Sequence, residues 1–260
     1  MSRIKRGATN LCGILAVDKP TAMTSHDVVN AIRRITQEGR VGHAGTLDPL
    51  ATGLLLVCIG PATRLSELLT SGDKGYEARI AFGSATDTDD AQGTVIARAP
   101  LTEALGDGGY ARGVLQGFIG IQKQMPPRYA AIKKEGKKAY EAAREGRPLE
   151  LDPRTVTVHD LRLIEATQDH WDIEALVSKG TYIRALARDI GEAVGCKAHV
   201  LALRRTRSGQ ALLAQAHTLK DLEEAWEDQR FTGLFLDPCR DLGIPQEAIP
   251  EGLRDAFSHG

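Results

Sequence analysis

No apolar stretch in this 260-residue chain approaches the ~20 residues that a bilayer-crossing helix needs, which excludes a helical membrane protein. The amino terminus, MSRIKRGATNLCGILAVDKP, is basic, but its apolar segment is short and runs into Asp18-Lys19-Pro20. That pattern is a first strand and turn rather than a signal peptide. Cysteine is scarce: Cys12, Cys58, Cys196 and Cys239 lie far apart, with no C-x-x-C spacing. Disulfides and a zinc site are disfavoured, and a reducing cytoplasm fits. An excess of one charge is also missing, with 33 basic against 34 acidic residues and a net charge of −1. Such a chain does not coat nucleic acid over its whole surface, although a local basic patch stays open.

The common catalytic signatures are absent too. The seven histidines show no H-x-x-x-H spacing, and the chain has neither G-x-S-x-G nor Gly-Lys-Ser/Thr. Metalloprotease, α/β-hydrolase and P-loop chemistries are therefore unsupported. The acidic stretch TDTDDAQG fails the calcium-loop template, because Ala91 and Gln92 fill its fifth and sixth positions and no Glu closes it. Asp87 and Asp89 read as solvated turn residues, and no metal site is expected.

What is present is an ordinary globular composition, 42% hydrophobic and 26% charged. GILAVDKP predicts a strand and turn. TSHDVVNAIRRIT predicts a helix capped by Thr24 or Ser25, with Val28, Val29, Ile32 and Ile35 on one face. GLLLVCI is unbroken by polar residues and predicts a strand buried on both faces, with Cys58 as a small hydrophobe. YEARIAF alternates, placing Tyr76, Ala78, Ile80 and Phe82 on one side. TVTVHDLRLIEA and HWDIEALVS predict an antiparallel pair, TYIRALARDIGEAV a helix with Thr181 near its start, and HTLKDLEEAWED a helix boxed by Thr218 and Asp221. Strands in neighbouring pairs with intervening helices give an α+β class, with a mixed, largely antiparallel sheet flanked by helices.

One carboxylate stands out. Asp48 lies between Leu47 and Pro49 in VGHAGTLDPLATGLLLVCIG. Asp-Pro pairs favour turns, and a local turn role accounts for it. Its setting points further, since a glycine-rich loop ahead of a buried strand is where catalytic groups sit on a rigid scaffold. A carboxylate nucleophile needs only to stay ionised, and an arginine partner would orient it. Two basic clusters accompany it. KKEGKKAYEAAREGR carries Lys133, Lys134, Lys137, Lys138 and Arg144, and LRRTRSG carries Arg204 and Arg205. Charge runs are usually solvated faces, but basic residues interleaved with an aromatic also suit looped RNA.

GHAGTLDPLATG resembles the catalytic motif of the bacterial tRNA pseudouridine-55 synthases, the TruB-type family. GILAVDKPTAMTSHDVV resembles that family's N-terminal signature and MPPRYAAIKKEGKKAYEAAREG its RNA-gripping insertion. SKGTYIRALARDIGEAVGCKAHVLALRRTRSG resembles its later active-site block. The resemblance implies the pseudouridine-synthase fold, with isomerisation of uridine 55 in the tRNA T-loop, free of cofactor and metal. It implies that Asp48 attacks a flipped-out nucleoside, at C6 of the base or C1′ of the ribose. It implies that Tyr76 stacks on the uracil and is a candidate for moving the C5 proton, and that Arg184 pairs with Asp48. Tyr182 falls at an active-site tyrosine, and Leu203 at an apolar wall of the base pocket. His43 matches a residue linked to holding the RNA loop open, Lys19 one supporting the motif, and Asp90 an aspartate near the base.

The same resemblance divides the chain into a catalytic domain over 1–242, with its insertion at about 124–152. Residues 243–260 would be a tail that starts, or is left from, a small RNA-binding domain. Ala22 replaces a common glycine of the signature, which should perturb a turn more than the chemistry. The expected partner is the T-arm of tRNA, with no membrane, no guide RNA and no protein partner indicated for a monomer. A non-catalytic tRNA-binding or tRNA-folding protein on the same fold is the rival expectation.

Overall fold

The computed structural model describes residues 4–7, 9–129, 133–134, 137–138, 151–245, 247 and 250–251. The chain opens with β1 (Gly13–Lys19) and α1 (Ser25–Thr36), followed by β2 (Val41–Ala44) and β3 (Thr52–Ile59). A 3₁₀ turn with Pro61 in its first turn leads to the short α2 (Ser66–Thr70) and then β4 (Lys74–Phe82). A hairpin of β5 (Ser84–Thr86) and β6 (Val95–Arg98) precedes α3 (Gly108–Gln116) and β7 (Gly120–Gln124). Two-residue strands β8 (Lys133–Lys134) and β9 (Lys137–Lys138) pair antiparallel. Long strands β10 (Arg154–Ala166) and β11 (His170–Val177) follow, then α4 (Ile183–Ala193), β12 (Ala198–Ser208), β13 (Ala211–Leu212) and α5 (Leu219–Glu227).

Nine strands form the main sheet, in the order β1-β3-β12-β4-β11-β10-β7, with β2 on β3 and β13 on β12. Its pairings are antiparallel except where β12 meets β3, Arg204 opposite Thr52 and Arg205 opposite Gly53. The expected α+β architecture with a mixed, largely antiparallel sheet is the observed one. The apolar run of β3 has its predicted meaning. Leu55, Val57 and Ile59 join the larger core, and Leu54, Leu56 and Cys58 join a second core on the opposite face. Each such burial contributes up to about 1.5–3 kcal/mol. Trp171 closes the larger core, its indole N–H donating to the Leu105 carbonyl at 2.7 Å and its ring meeting Phe82 edge-on at 4.9 Å.

Gly53 is required where the two cores meet the sheet crossing. Its φ is +94°, and a Cβ there would lie 2.4 Å from the Arg205 carbonyl oxygen. Backbone thus meets backbone beside the loop that carries Asp48. Helix α1 is capped by Thr24, in a reciprocal box with Asp27. Helix α4 begins where the sequence suggests, close to Thr181. Tyr182 is its N-cap, and Thr181 lies just before it, its hydroxyl donating to the Ser178 carbonyl at 2.9 Å. Among the described residues no helix is long and apolar enough to cross a membrane.

Candidate active site

The loop joining β2 to β3 is fixed at every carbonyl that matters. The buried Ser25 hydroxyl, first in α1, donates to the Leu47 carbonyl at 3.1 Å and accepts from the Leu47 N–H at 2.8 Å. Pro49 presents its carbonyl to the Ala22 N–H at 3.0 Å and to Lys19 Nζ at 3.4 Å. Lys19 also donates to the Pro20 and Met23 carbonyls at 3.0 and 2.6 Å, so its three protons meet three acceptors. Gly45 offers its carbonyl to Arg205 Nη2 at 3.0 Å, and the Asp48 carbonyl closes the turn on the Ala51 N–H at 3.1 Å. Leu47 is sunk in the core, and the half-buried Asp48 side chain beside it opens into a cavity.

Its partner is Arg184, in the first turn of α4. The Arg184 side chain is only 5% exposed and that of Asp48 34%. Nη2 donates to Asp48 Oδ1 at 3.1 Å; Nε lies 2.9 Å from Oδ2 without being aligned for a hydrogen bond. Nη1 donates to the Thr88 carbonyl at 2.8 Å and Nη2 also to the Tyr129 carbonyl at 3.2 Å. Asp90 stands behind, its Oδ2 3.7 Å from Nη1, and its Oδ1 accepts from the Thr88 hydroxyl and the Gln92 N–H. A buried guanidinium with this many fixed acceptors is a rigid mount for the carboxylate.

Asp48 and Arg184 line a cavity of about 610 Å³ together with Tyr76, Tyr182, Leu203 and Arg205. Tyr182 is held by Gln124, which accepts from its N–H at 2.9 Å and donates to its carbonyl at 3.2 Å. Burial pushes the Tyr182 phenol above its ordinary range, so it is protonated at neutral pH. Burial pulls Lys19 down to about 8, with Asp48 opposing, and pulls Lys74 at the cavity wall down to about 8 as well. Both remain mostly charged at pH 7. The arrangement offers an anchored carboxylate, an aromatic and an apolar wall, and cations at the rim: enough to hold a planar, uncharged ring against a carboxylate.

The remaining expected residues lie elsewhere. His43 opens onto a neighbouring depression with Ser66, Leu68 and Lys179 rather than the main cavity. Its Nδ1 is buried without a hydrogen-bond partner among the described residues, and burial lowers its pKa. Arg205 corrects the expectation of a surface cation. It is 1% exposed, and Nε and Nη2 donate to the Leu54 and Gly45 carbonyls at 2.7 and 3.0 Å, so it braces the loop. Arg204 is paired with Asp18 at 2.7 Å, on the opposite side of the strand. Asp89 is no solvated turn residue either, because its carboxylate meets Arg188 at 2.9 Å and is 13% exposed. The side chains of Lys133, Lys134, Lys137, Lys138 and Arg144 lie outside the described residues. Arg154, Lys179 and Lys74 are cavity residues that sequence inspection passed over. Arg154 stacks over Tyr182 at 5.9 Å, and its position ahead of an alternating strand was the only clue to it.

By fold and site this is an enzyme: an α+β chain in which a buried arginine mounts one cavity carboxylate. Residues 33–183, more than half of the chain, match the model of the "TruB family pseudouridylate synthase (N terminal domain)". Residues 184–242 match that of the "tRNA pseudouridylate synthase B C-terminal domain". A relative from Opitutus terrae, named tRNA pseudouridine synthase B, is 46% identical, over 82% of this chain and 88% of its own. A protein of the same name from Pseudomonas putida is 42% identical over 100% of this chain and 86% of its own. The chain resembles the crystal structure of a Cbf5-Nop10-Gar1 complex, at TM-score 0.73 and 28% identity over 95% of this chain and 67% of that one. The structure of an H/ACA RNP bound to a substrate RNA containing 2′-deoxyuridine follows at TM-score 0.63 and 28% identity, over 85% of this chain and 57% of that one. The chain belongs to the TruB family of pseudouridylate synthases.

Proposed function

We propose that this enzyme converts the T-loop uridine at position 55 of tRNA into pseudouridine, standing alone and without cofactor, and that Asp48 is its nucleophile. The observation that carries this reading is the Asp48–Arg184 pair at a cavity shared with Tyr76 and Leu203. A base inside a folded loop cannot be attacked in place, so the uridine flips out, at a cost of a few kcal/mol of stacking. Rim cations such as Lys179, and the basic stretch 133–147, offset that cost through phosphate contacts.

In the cavity, Tyr76 faces the uracil and Leu203 packs its edge. An Asp48 oxygen attacks C6 of the base or C1′ of the ribose while Arg184 fixes the carboxylate's orientation. The N1–C1′ bond breaks, the base turns, the C5–C1′ bond forms and the carboxylate departs. The C5 proton then leaves, with Tyr76 the candidate to move it, and N1 takes up a proton from solvent. Lys19, Asp90 and Tyr182 position the machinery, and His43 acts on the RNA loop outside the cavity. No atom is gained or lost overall, consistent with a reaction that needs no cofactor.

The test uses an unmodified tRNA transcript tritiated at C5 of its uridines, with and without chelator. Wild-type protein should release tritium from position 55 alone, and Asp48→Asn should release none. Tight tRNA binding without release by the wild type would leave the rival role, a tRNA-binding or tRNA-folding protein. Release at another position would overturn the T-loop assignment only.

A further inference from the structure

Arg184 has a counterpart one helical turn on. Arg188 lies four residues later in α4, and residues at this spacing sit on one helix face. The two arginines grip the same two segments. The first is the turn after β5: Arg184 donates to the Thr88 carbonyl at 2.8 Å, and Arg188 Nη1 to Asp89 Oδ2 at 2.9 Å. The second is the segment leaving β7: Arg184 Nη2 donates to the Tyr129 carbonyl at 3.2 Å, and Arg188 Nη2 to the Met125 carbonyl at 2.8 Å. Asp189 completes the cluster by accepting from Arg188 Nε at 3.1 Å.

The turn is itself held against the sheet. The Asp89 carbonyl accepts from the Val200 N–H at 3.0 Å, and the Val200 carbonyl from the Ala91 N–H at 2.9 Å. Asp89 takes a left-handed conformation, φ +59°, to present both its carbonyl to β12 and its carboxylate to Arg188. Residues 125–129 lead directly into the basic stretch 133–147. The far end of the Arg184 fork is Asp48. Any slippage of either segment along α4 therefore reaches the carboxylate through one side chain.

We propose that Arg188 is a positioning residue: with Asp89 it sets the register of the segment 125–129 and the 86–90 turn on α4, and so sets the aim of the Arg184 fork on Asp48. This rests on the reading of Asp48 as nucleophile toward tRNA. Arg188 does not line the Asp48 cavity, and it acts on the reaction through Arg184. Its fork makes two diverging contacts that a single ammonium cannot reproduce.

The experiment follows single-turnover tritium release at saturating C5-tritiated tRNA for wild type, Arg188→Gln, Arg188→Lys, Asp89→Asn and the Arg188→Gln/Asp89→Asn double variant. Asn is chosen because it tolerates positive φ, which separates loss of the ion pair from backbone strain. Backbone amide exchange at Met125, Arg128 and Tyr129, the residues of this segment that carry an amide hydrogen, is measured in parallel on the free proteins. Arg188→Gln should lower the rate constant by about 10²-fold, the scale of a misplacement of about 1 Å. Arg188→Lys and Asp89→Asn should fall between, and the double variant should lose no more than Arg188→Gln, since both act on one link. Tritium release should fall with little change in tRNA affinity, and exchange at Met125, Arg128 and Tyr129 should accelerate. A wild-type rate in folded Arg188→Gln, or a loss confined to tRNA affinity, would overturn the positioning role alone. If Arg188→Gln does not fold, wild-type rates in both Arg188→Lys and Asp89→Asn overturn it in the same way. Silence of the wild-type protein would overturn the nucleophile reading and this role with it.

Discussion

Arg184 holds Asp48 across 136 residues of sequence, and the same guanidinium is anchored to the Thr88 and Tyr129 carbonyls. The carboxylate's orientation is thus set by backbone carbonyls from two distant parts of the chain. Replacement by lysine would keep the charge and lose the fork. We expect Arg184→Lys to lower the saturating rate of tritium release by about 10²-fold or more, by misaiming Asp48. The salt dependence of tRNA binding should be unchanged, because no phosphate contact is removed. Single-turnover assays beside a salt titration would separate the two, and a variant impaired only in binding would contradict the mount.

Adjacent and nearby cations should behave in opposite ways. Lys179 is exposed at the cavity rim, whereas Arg205 is buried and donates to the Leu54 and Gly45 carbonyls. Lys179→Ala should weaken tRNA binding and reduce the log–log salt slope by about 1. Arg205→Ala should leave that slope alone and destabilise the fold by about 1–3 kcal/mol for each carbonyl left unsatisfied. Binding series at several salt concentrations and urea unfolding of both variants would check this. A reduced slope in Arg205→Ala would mean that its guanidinium does reach RNA.

The contrast between Arg204 and Arg205 also marks what the sequence could and could not say. In the sequence both sit in a charge run, which suggests a solvated face or an RNA-binding patch. On β12 successive side chains point to opposite faces, so Arg205 shares the face of Leu203 and Arg204 turns to Asp18. Local pattern was reliable where burial is periodic. The two-faced β3, the alternation of Trp171, Ile173, Ala175 and Val177, and the Thr218 box appear where expected, and of the two cap candidates Thr24 and Ser25 it is Thr24 that caps α1. It failed at Asp89, whose turn composition suggests solvent and whose partner lies 99 residues away. Strand order was beyond it for the same reason. The β3–β12 neighbourhood that places Leu203 and Arg205 beside the Asp48 loop is a long-range contact that no local period encodes. Asp48 itself was legible through its setting, a glycine-rich loop ahead of a buried strand, and then through its motif.

The departure at Ala22 has a measurable cost. Its φ is +62°, a region that an L-residue with a Cβ enters at about 1–2 kcal/mol, and its N–H there meets the Pro49 carbonyl. Glycine would relieve that strain but lose about 0.5–1 kcal/mol of chain entropy. Ala22→Gly should therefore be stabilising by up to about 1 kcal/mol, raising Tm by about 2–4 °C in a chain of this size. Thermal unfolding followed by circular dichroism would decide it. A lower Tm would mean that the turn gains more from the methyl group than it loses in strain.

Glu38 makes the last prediction, one of stability against pH. It is fully buried beyond α1, and its oxygens accept from the N–H groups of Gly7, Thr9 and Arg40 and from the Thr9 hydroxyl. Burial alone would raise its pKa. Those hydrogen bonds to the charged form outweigh burial and bring it from an ordinary 4.5 down to about 2. Because the folded pKa lies below the unfolded one, the stabilisation is complete above about 4.5 and is lost as pH falls toward 2. In Glu38→Gln an amide NH₂ must replace one carboxylate oxygen, so a donor confronts donors whichever way it is turned. The variant should be about 1–3 kcal/mol less stable at pH 7. Its deficit against wild type should shrink between pH 4.5 and 2, as the unfolded wild-type chain takes up a proton that the folded carboxylate still resists. Urea unfolding of the two proteins across that range isolates this one group, because every other titration is common to both. A deficit that stayed constant with pH would show that shape rather than charge at position 38 ties down residues 7 and 9.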